Sequence, residues 1–342
     1  MADCNSISYN ETQSNNQFPM NIECIPDMIL LDIFSRLDFV DLCMCSRVCQ
    51  RWYMLSRDFS LRKKIIIKKA LKASQFNSLI HHHFSNVLEE FQLLKTTGTM
   101  TLLSVKKNTL WKLSNRSSKL KKLVLMSCSL ASVSLKDMPS SLLHLSVRGS
   151  EIYPDLFFGT NPHFAVPHLT CLDIGGVSNF LTSQDLHVFS TLKSLRSLYL
   201  EGCFRINNGG IESIITILPQ LEILDVEGTD ISNEGVRTIF DNCANIRELY
   251  IGHTSISDDA FSRIVKNKMP HLTFCCVRNT NISSASIHTF IMHHLSNKKL
   301  MVEADFDWSS SIFKPSDLNS EMNDSLPYLA DIRCHHYLNN KC

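Results

Sequence analysis

Seven in-register copies of one apolar pattern, L-x-x-L-x-L-x-x-[C/S/T]-x-[L/I], leave the middle of this chain little choice of fold. The pattern is complete at Leu120, Leu123, Leu125, Cys128 and Leu130, and again at Leu142, Leu145, Val147, Ser150 and Ile152. It continues through Leu169, Leu172 and Ile174, then Leu195, Leu198, Leu200 and Cys203, then Leu221, Leu224, Val226, Thr229 and Ile231. Ile246, Leu249, Ile251, Thr254 and Ile256 follow, and then Leu272, Cys275, Val277, Thr280 and Ile282. Successive copies start 22 to 27 residues apart. Leu88, Phe91 and Leu93 read as an earlier irregular copy, and Leu300 with Val302 as a last, degenerate strand.

Each copy has a physical reading. The alternation is a short strand with one face buried. The Cys, Ser or Thr beyond it can hydrogen-bond the backbone of a tight turn. Helical stripes follow, such as Ile211, Ile214, Ile215, Leu218; Val236, Ile239, Phe240, Cys243; and Phe261, Ile264, Val265. Thr182 with Asp185 reads as a capping pair. A strand-plus-helix unit cannot bury its core alone, so the copies must stack. The expected fold class is α/β: a curved solenoid with parallel strands inside and helices outside.

Ahead of the array, residues 1–20 are polar and read as a disordered arm. From Ile25 the chain becomes apolar, with Pro26 suited to a first helical turn and Leu30, Ile33, Phe34 and Leu37 on one stripe. Asp38 can cap a second helix carrying Leu42, Cys45, Val48, Cys49 and Trp52. Two such helices make too small a core to stand alone, so this piece needs a partner over its apolar surface. The expected organisation is an arm at 1–20, a helical module at 21–67, the array at 68–302, and a cap with a tail at 303–342.

The chain has thirteen cysteines and no secretory signal at its start, which points to reduced thiols in the cytoplasm or nucleus. No apolar run approaches the roughly 18 residues of a membrane helix, so no membrane is expected. A net charge of +1 hides an asymmetry: residues 59–136 hold fifteen Lys or Arg against Glu89 and Glu90. Within that region, Arg62 to Lys69 reads as a charged linker strand rather than a nucleic-acid patch.

The segment Ile25–Trp52, IPDMILLDIFSRLDFVDLCMCSRVCQRW, resembles an F-box, including its terminal V-C-x-x-W. The repeats resemble the cysteine-containing subclass of leucine-rich repeats at Leu120–Cys128 and Leu195–Cys203, with other copies lacking that Cys. Together they resemble F-box and leucine-rich-repeat proteins, and are most like the short-array members at Leu135–Ile152 and Leu192–Ile231. The resemblance implies a non-catalytic substrate receptor of a Skp–cullin–F-box ubiquitin ligase. Its partners would be a Skp-type adaptor, cullin and RING subunits through that adaptor, and a target protein not identified by the sequence. The other reading it leaves open is an adaptor-bound scaffold without ubiquitin transfer. It further implies that Pro26, Leu30, Leu31, Ile33, Phe34, Leu42, Val48 and Trp52 form or support the adaptor surface.

The x positions of the strands are the candidate target surface. Asp173, Glu201, Asp225 and Glu227 would make its centre acidic, with Tyr199, Tyr250 and Arg278 beside them, a place for a basic segment. Arg196 and Arg247 form a nearby row that could instead hold a carboxylate or phosphate. His81, His82 and His83, and Cys334, His335 and His336, lack spaced ligand partners, so no metal or other cofactor is expected. No nucleophile elbow, phosphate loop or zinc-protease motif occurs, which argues against an enzyme.

Overall fold

The computed structural model describes residues 22–94, 102–153, 155–158, 161–177, 181–262, 269–293 and 300–304. The expected arm, the tail beyond residue 304, and Ile264 and Val265 of one helical stripe lie outside these residues. The chain divides into two compact units between Leu61 and Arg62.

In the first unit, helices α1 (Asp27–Ser35), α2 (Phe39–Cys45) and α3 (Gln50–Leu55) surround a core of Leu30, Phe34, Phe39 and Leu42. Asp38 caps α2 as expected, its Oδ1 accepting from the Asp41 N–H at 2.9 Å. The single second helix expected from the sequence is two. The Ser46 hydroxyl donates to the Cys43 carbonyl, the Val48 N–H bonds the Cys45 carbonyl three residues back, and Cys49 then caps α3 through its sulfur. Arg51 ties α3 to the start of α1, donating to Asp27 and to the carbonyls of Glu23 and Ile25.

In the second unit the described strands are β1 (Lys64–Ile67), β2 (Glu90–Leu93), β3 (Leu103–Ser104), β4 (Lys122–Leu125), β5 (Cys128–Ser129), β6 (His144–Ser146), β7 (Cys171–Asp173), β8 (Ser197–Tyr199), β9 (Ile223–Asp225), β10 (Glu248–Tyr250), β11 (Phe274–Cys276) and β12 (Met301–Glu303). Ten pair in the order β1-β2-β4-β6-β7-β8-β9-β10-β11-β12, and β3 pairs with β5 apart from them. Each of these pairings is parallel. The array therefore starts at Lys64, inside the span expected for the helical module. Alternation explains why: Ile65 and Ile67 enter the core while Lys64 pairs with Glu90 at 3.0 Å.

One side of the ladder is the leucine core. Leu123, Leu145, Leu172, Leu198, Leu224, Leu249 and Cys275 are fully buried in one register-matched row. Just past the strand each repeat turns through one left-handed residue: Ser127, Gly149, Gly176, Gly202, Gly228, His253 and Asn279. The small residue that follows does what its position implied. Thr229, Thr254 and Thr280 donate to the carbonyls of Val226, Ile251 and Val277 at 2.6–2.7 Å, and Ser150 donates to the Leu125 carbonyl. Helices then cap one another across repeats. Asn208 accepts from the Ser232 and Gly235 N–H groups, Asn233 from Ser257 N–H, and Asp258 from Ser283 N–H. Asp185 accepts from the Thr182 N–H and hydroxyl, so the two residues do pair, but the helical turn begins at Asp185 itself with Gln184 at its N-cap, and Thr182 lies ahead of the cap.

The last strand differs from expectation. Met301 lies opposite Phe274 and Glu303 opposite Cys276, two residues away from the alignment that Leu300 and Val302 suggested. A shift of two keeps the same side chains facing the core, so alternation alone does not choose between the registers.

Candidate functional site

Two surfaces carry features beyond folding. On the helical unit, α1 holds Met28, Ile29, Leu30, Leu31, Ile33 and Phe34 within nine residues, too many apolar groups for one buried stripe. Leu30 and Phe34 take the core, and Met28, Ile29 and Ile33 remain 81%, 52% and 42% exposed. Met44, Val48, Tyr53 and Met54 are exposed as well. Of the residues expected to meet an adaptor, Pro26, Ile33 and Val48 are accessible, and Leu31 and Trp52 are half-buried. Leu30, Phe34 and Leu42 are core; the Phe34 and Trp52 rings meet edge-on at 5.1 Å. Stripe counting found the core residues and missed Met28, Ile29, Met44, Tyr53 and Met54. The surplus of apolar residues on α1 was the signal for the first two.

The second surface is the sheet face turned away from the leucine core. Here the expectation of an open acidic centre fails. Asp173, Tyr199, Asp225 and Glu227 are buried, Glu201, Tyr250 and Arg278 are half-buried, and Arg196 and Arg247 are exposed ahead of their strands. The cause is that parallel neighbours lie about 4.8 Å apart, close enough for these side chains to cover and satisfy one another.

The row just beyond the strands reads Arg148, Gly175, Glu201, Glu227, Gly252, Arg278. Arg148 crosses Gly175 to reach Glu201, and its Nε also donates to Asp173 Oδ2 at 3.0 Å. Arg278 crosses Gly252 in the opposite sense to Glu227 at 3.5 Å, and pairs with Glu303 at 3.4 Å. The glycines leave these crossings room: a Cβ on Gly175 would stand 2.7 Å from Arg148 Cζ and push the guanidinium aside, and one on Gly252 would crowd the Arg278 carbonyl at 3.0 Å and Glu227 Oε1 at 3.2 Å. Asp173 further accepts from Ser146 Oγ at 2.9 Å and from the Gly175 N–H at 3.1 Å. Burial opposes the Arg148 charge, but Asp173 and Glu201 overcome it and raise its pKa.

At the start of β6, His144 is pushed down to about 4, first by burial and then by Lys122, with Asp173 and Glu90 pulling the other way. Acidification protonates this imidazole in the unfolded chain first, near pH 6.5, and in the fold only near 4. Stability should therefore hold above about pH 6.5, fall by up to roughly 3 kcal/mol down to about pH 4, and level off there. Urea unfolding at pH 7.5 and pH 4.5 checks this. His144→Asn should narrow the difference by that amount, and an unchanged difference would place the acid sensitivity in other groups.

Among the described residues no three His, Cys, Asp or Glu side chains are grouped to hold a metal, and no helix is long and apolar enough to cross a membrane. Nine described cysteines, buried Cys203, Cys243 and Cys275 among them, are free thiols.

Comparison with known proteins bears on both surfaces. Residues 22–68 match a family model described as F-box-like, and residues 219–240 one described as Leucine Rich repeat. The chain carries an F-box-like module and leucine-rich repeats. It is 25% identical over 259 residues to F-box/LRR-repeat protein 12 of Homo sapiens, covering 74% of this chain and 78% of that one. The protein of the same name from Mus musculus is 26% identical over 212 residues, with 61% of this chain and 64% of that one covered. Among solved structures, an internalin from Listeria monocytogenes aligns with 71% of this chain and 66% of its own at 17% identity and a TM-score of 0.43. The F-box-like match takes in the exposed apolar helices, and the leucine-rich match takes in β9 with the start of the helix after it, Asn233–Asn242.

Proposed function

We propose that this chain is the substrate-recognition subunit of a Skp–cullin–F-box ubiquitin ligase. The observation that carries the proposal is the exposure of Met28, Ile29, Ile33, Met44 and Val48 on a unit whose described core contains four large apolar side chains. Apolar surface of that kind gains about 25 cal/mol per Å² on being covered, and the F-box-like match supports a Skp-type adaptor as the cover. Pro26, Leu31 and Trp52 complete the contact, while Leu30, Phe34 and Leu42 hold the helices in shape. The array then presents a target protein to the ubiquitin-loaded enzyme. The chain does no bond chemistry itself; it raises the local concentration of target lysines. The proposal sets its work in the cytoplasm or nucleus.

The test is co-expression of the full chain with a Skp-type adaptor, a cullin and its RING subunit. Recovery of all four in one complex that transfers ubiquitin to a captured protein is the expected result. Recovery with adaptor alone, cullin absent, would replace the proposal by an adaptor-bound scaffold.

A further inference from the structure

Four arginines on the strand side of the array fall into two pairs. Arg148 and Arg278 are bound to carboxylates of the chain itself, so a ligand on their face would have to displace those internal acids. Arg196 and Arg247 stand at the edge where the strands begin, and they border a cleft of about 290 Å³ with Gln220, Glu222, Asn245 and His271. All six lining residues are polar, and Glu222 is the single acid among them.

The backbone sets the spacing of this cleft. The Glu222 N–H bonds the Arg196 carbonyl at 2.7 Å, and the Arg247 N–H bonds the Glu222 carbonyl at 2.7 Å. Three successive strands thus hold Arg196 and Arg247 about 10 Å apart, on either side of Glu222. Side-chain amides fasten the ridge behind them: Gln220 Nε2 donates to the Leu192 carbonyl at 3.0 Å and Asn245 Nδ2 to the Pro219 carbonyl at 2.7 Å. Arg196 donates to the Leu195 carbonyl and forms no ion pair with a described carboxylate. Arg247 pairs with Glu222 at 3.3 Å, but the two side chains are 57% and 44% exposed. A pair that open to water is weak and exchangeable.

We infer that this cleft binds an oxyanion group on a target segment, with Arg196 and Arg247 as the ligands and Glu222 as an internal stand-in that the incoming anion replaces on Arg247. Guanidinium forks suit planar carboxylates and tetrahedral phosphates alike. The source is therefore an acidic or a phosphorylated side chain. This inference rests on reading the array as the target-binding part of the receptor, and it moves the anchor point from the face beyond the leucine core to the rim of the strands.

The experiment is a titration of the full chain with inorganic phosphate, and separately with acetate, at constant ionic strength. Binding is followed by the side-chain Nε–H signals of isotope-labelled arginine. Saturable shifts of the Arg196 and Arg247 signals are expected, and R196E should abolish them. E222Q should tighten binding about two- to fivefold, because it releases Arg247 from a surface pair. A response to phosphate alone assigns the cleft to phosphorylated targets; a response to both anions extends it to carboxylates. No saturable shift, or an E222Q variant that binds no better, overturns the inference. Because the titration needs neither adaptor nor cullin, its failure leaves the receptor proposal standing, and failure of adaptor capture leaves the titration readable.

Discussion

An Ile33→Asp, Val48→Asp double variant should lose capture of a Skp-type adaptor while the array unfolds at an unchanged denaturant midpoint. Both side chains are exposed, at 42% and 64%, so aspartate meets no core neighbour in the free chain. In a complex each change removes about 1.5–3 kcal/mol of apolar burial, a combined weakening of roughly a hundred- to ten-thousandfold. Burying an unpaired carboxylate adds to that loss. A Leu30→Ala, Phe34→Ala variant should lose the adaptor too, for a different reason. Those residues are 1% and 2% exposed, and truncating each costs roughly 2–5 kcal/mol, more than a unit of this size can spare. Co-purification measures capture, and circular dichroism separates the two causes: helix signal is kept in the first variant and reduced in the second. If the aspartate variant still co-purifies stoichiometrically, the adaptor surface lies elsewhere.

The second large effect belongs to Arg148. Arg148→Met should destabilise the array by roughly 3 kcal/mol, the scale for removing one partner of a largely buried ion pair. Its guanidinium is the cation held against Asp173 and Glu201, and the Asp173 side chain is 6% exposed, so water cannot take over. Glu201→Gln should cost less, because that side chain is 26% exposed and Asp173 keeps its arginine. Gly175→Ala should reproduce part of the Arg148 loss without touching a charge, since the added methyl occupies the path of the guanidinium. Urea denaturation of the three variants gives the order. A Gly175→Ala variant as stable as the parent would mean that Arg148 has another route to Glu201.

Much of the second unit was legible because its apolar spacing is a rule that every copy obeys. Leu120 to Ile282 located the middle strands, and the Cys, Ser or Thr position identified the turns before any contact was known. The F-box-like helices were legible from Pro26, Asp38 and the Leu30–Phe34 stripe. What each apolar residue on α1 does was not, because Ile33 and Leu30 look alike in sequence, and only the packing of α2 and α3 leaves one of them outside. The fates of Asp173, Asp225 and Glu227 were misread for a related reason. An acid on a strand looks available until the neighbouring strands are placed beside it.

By itself, then, the sequence determined the period, the parallel strand-and-helix repeat and the helical unit ahead of it, since these depend on local alternation and caps within a few residues. Tertiary structure decided which charges are spent and which remain. Arg148 meets Glu201, and Arg278 meets Glu227, across 53 and 51 residues of chain, and each crosses a glycine of the repeat between them. It also decided the register of β12, where a two-residue shift leaves the same side chains buried and the backbone bonds make the choice, the Met301 N–H bonding the Thr273 carbonyl and the Val277 N–H the Glu303 carbonyl, each at 2.8 Å.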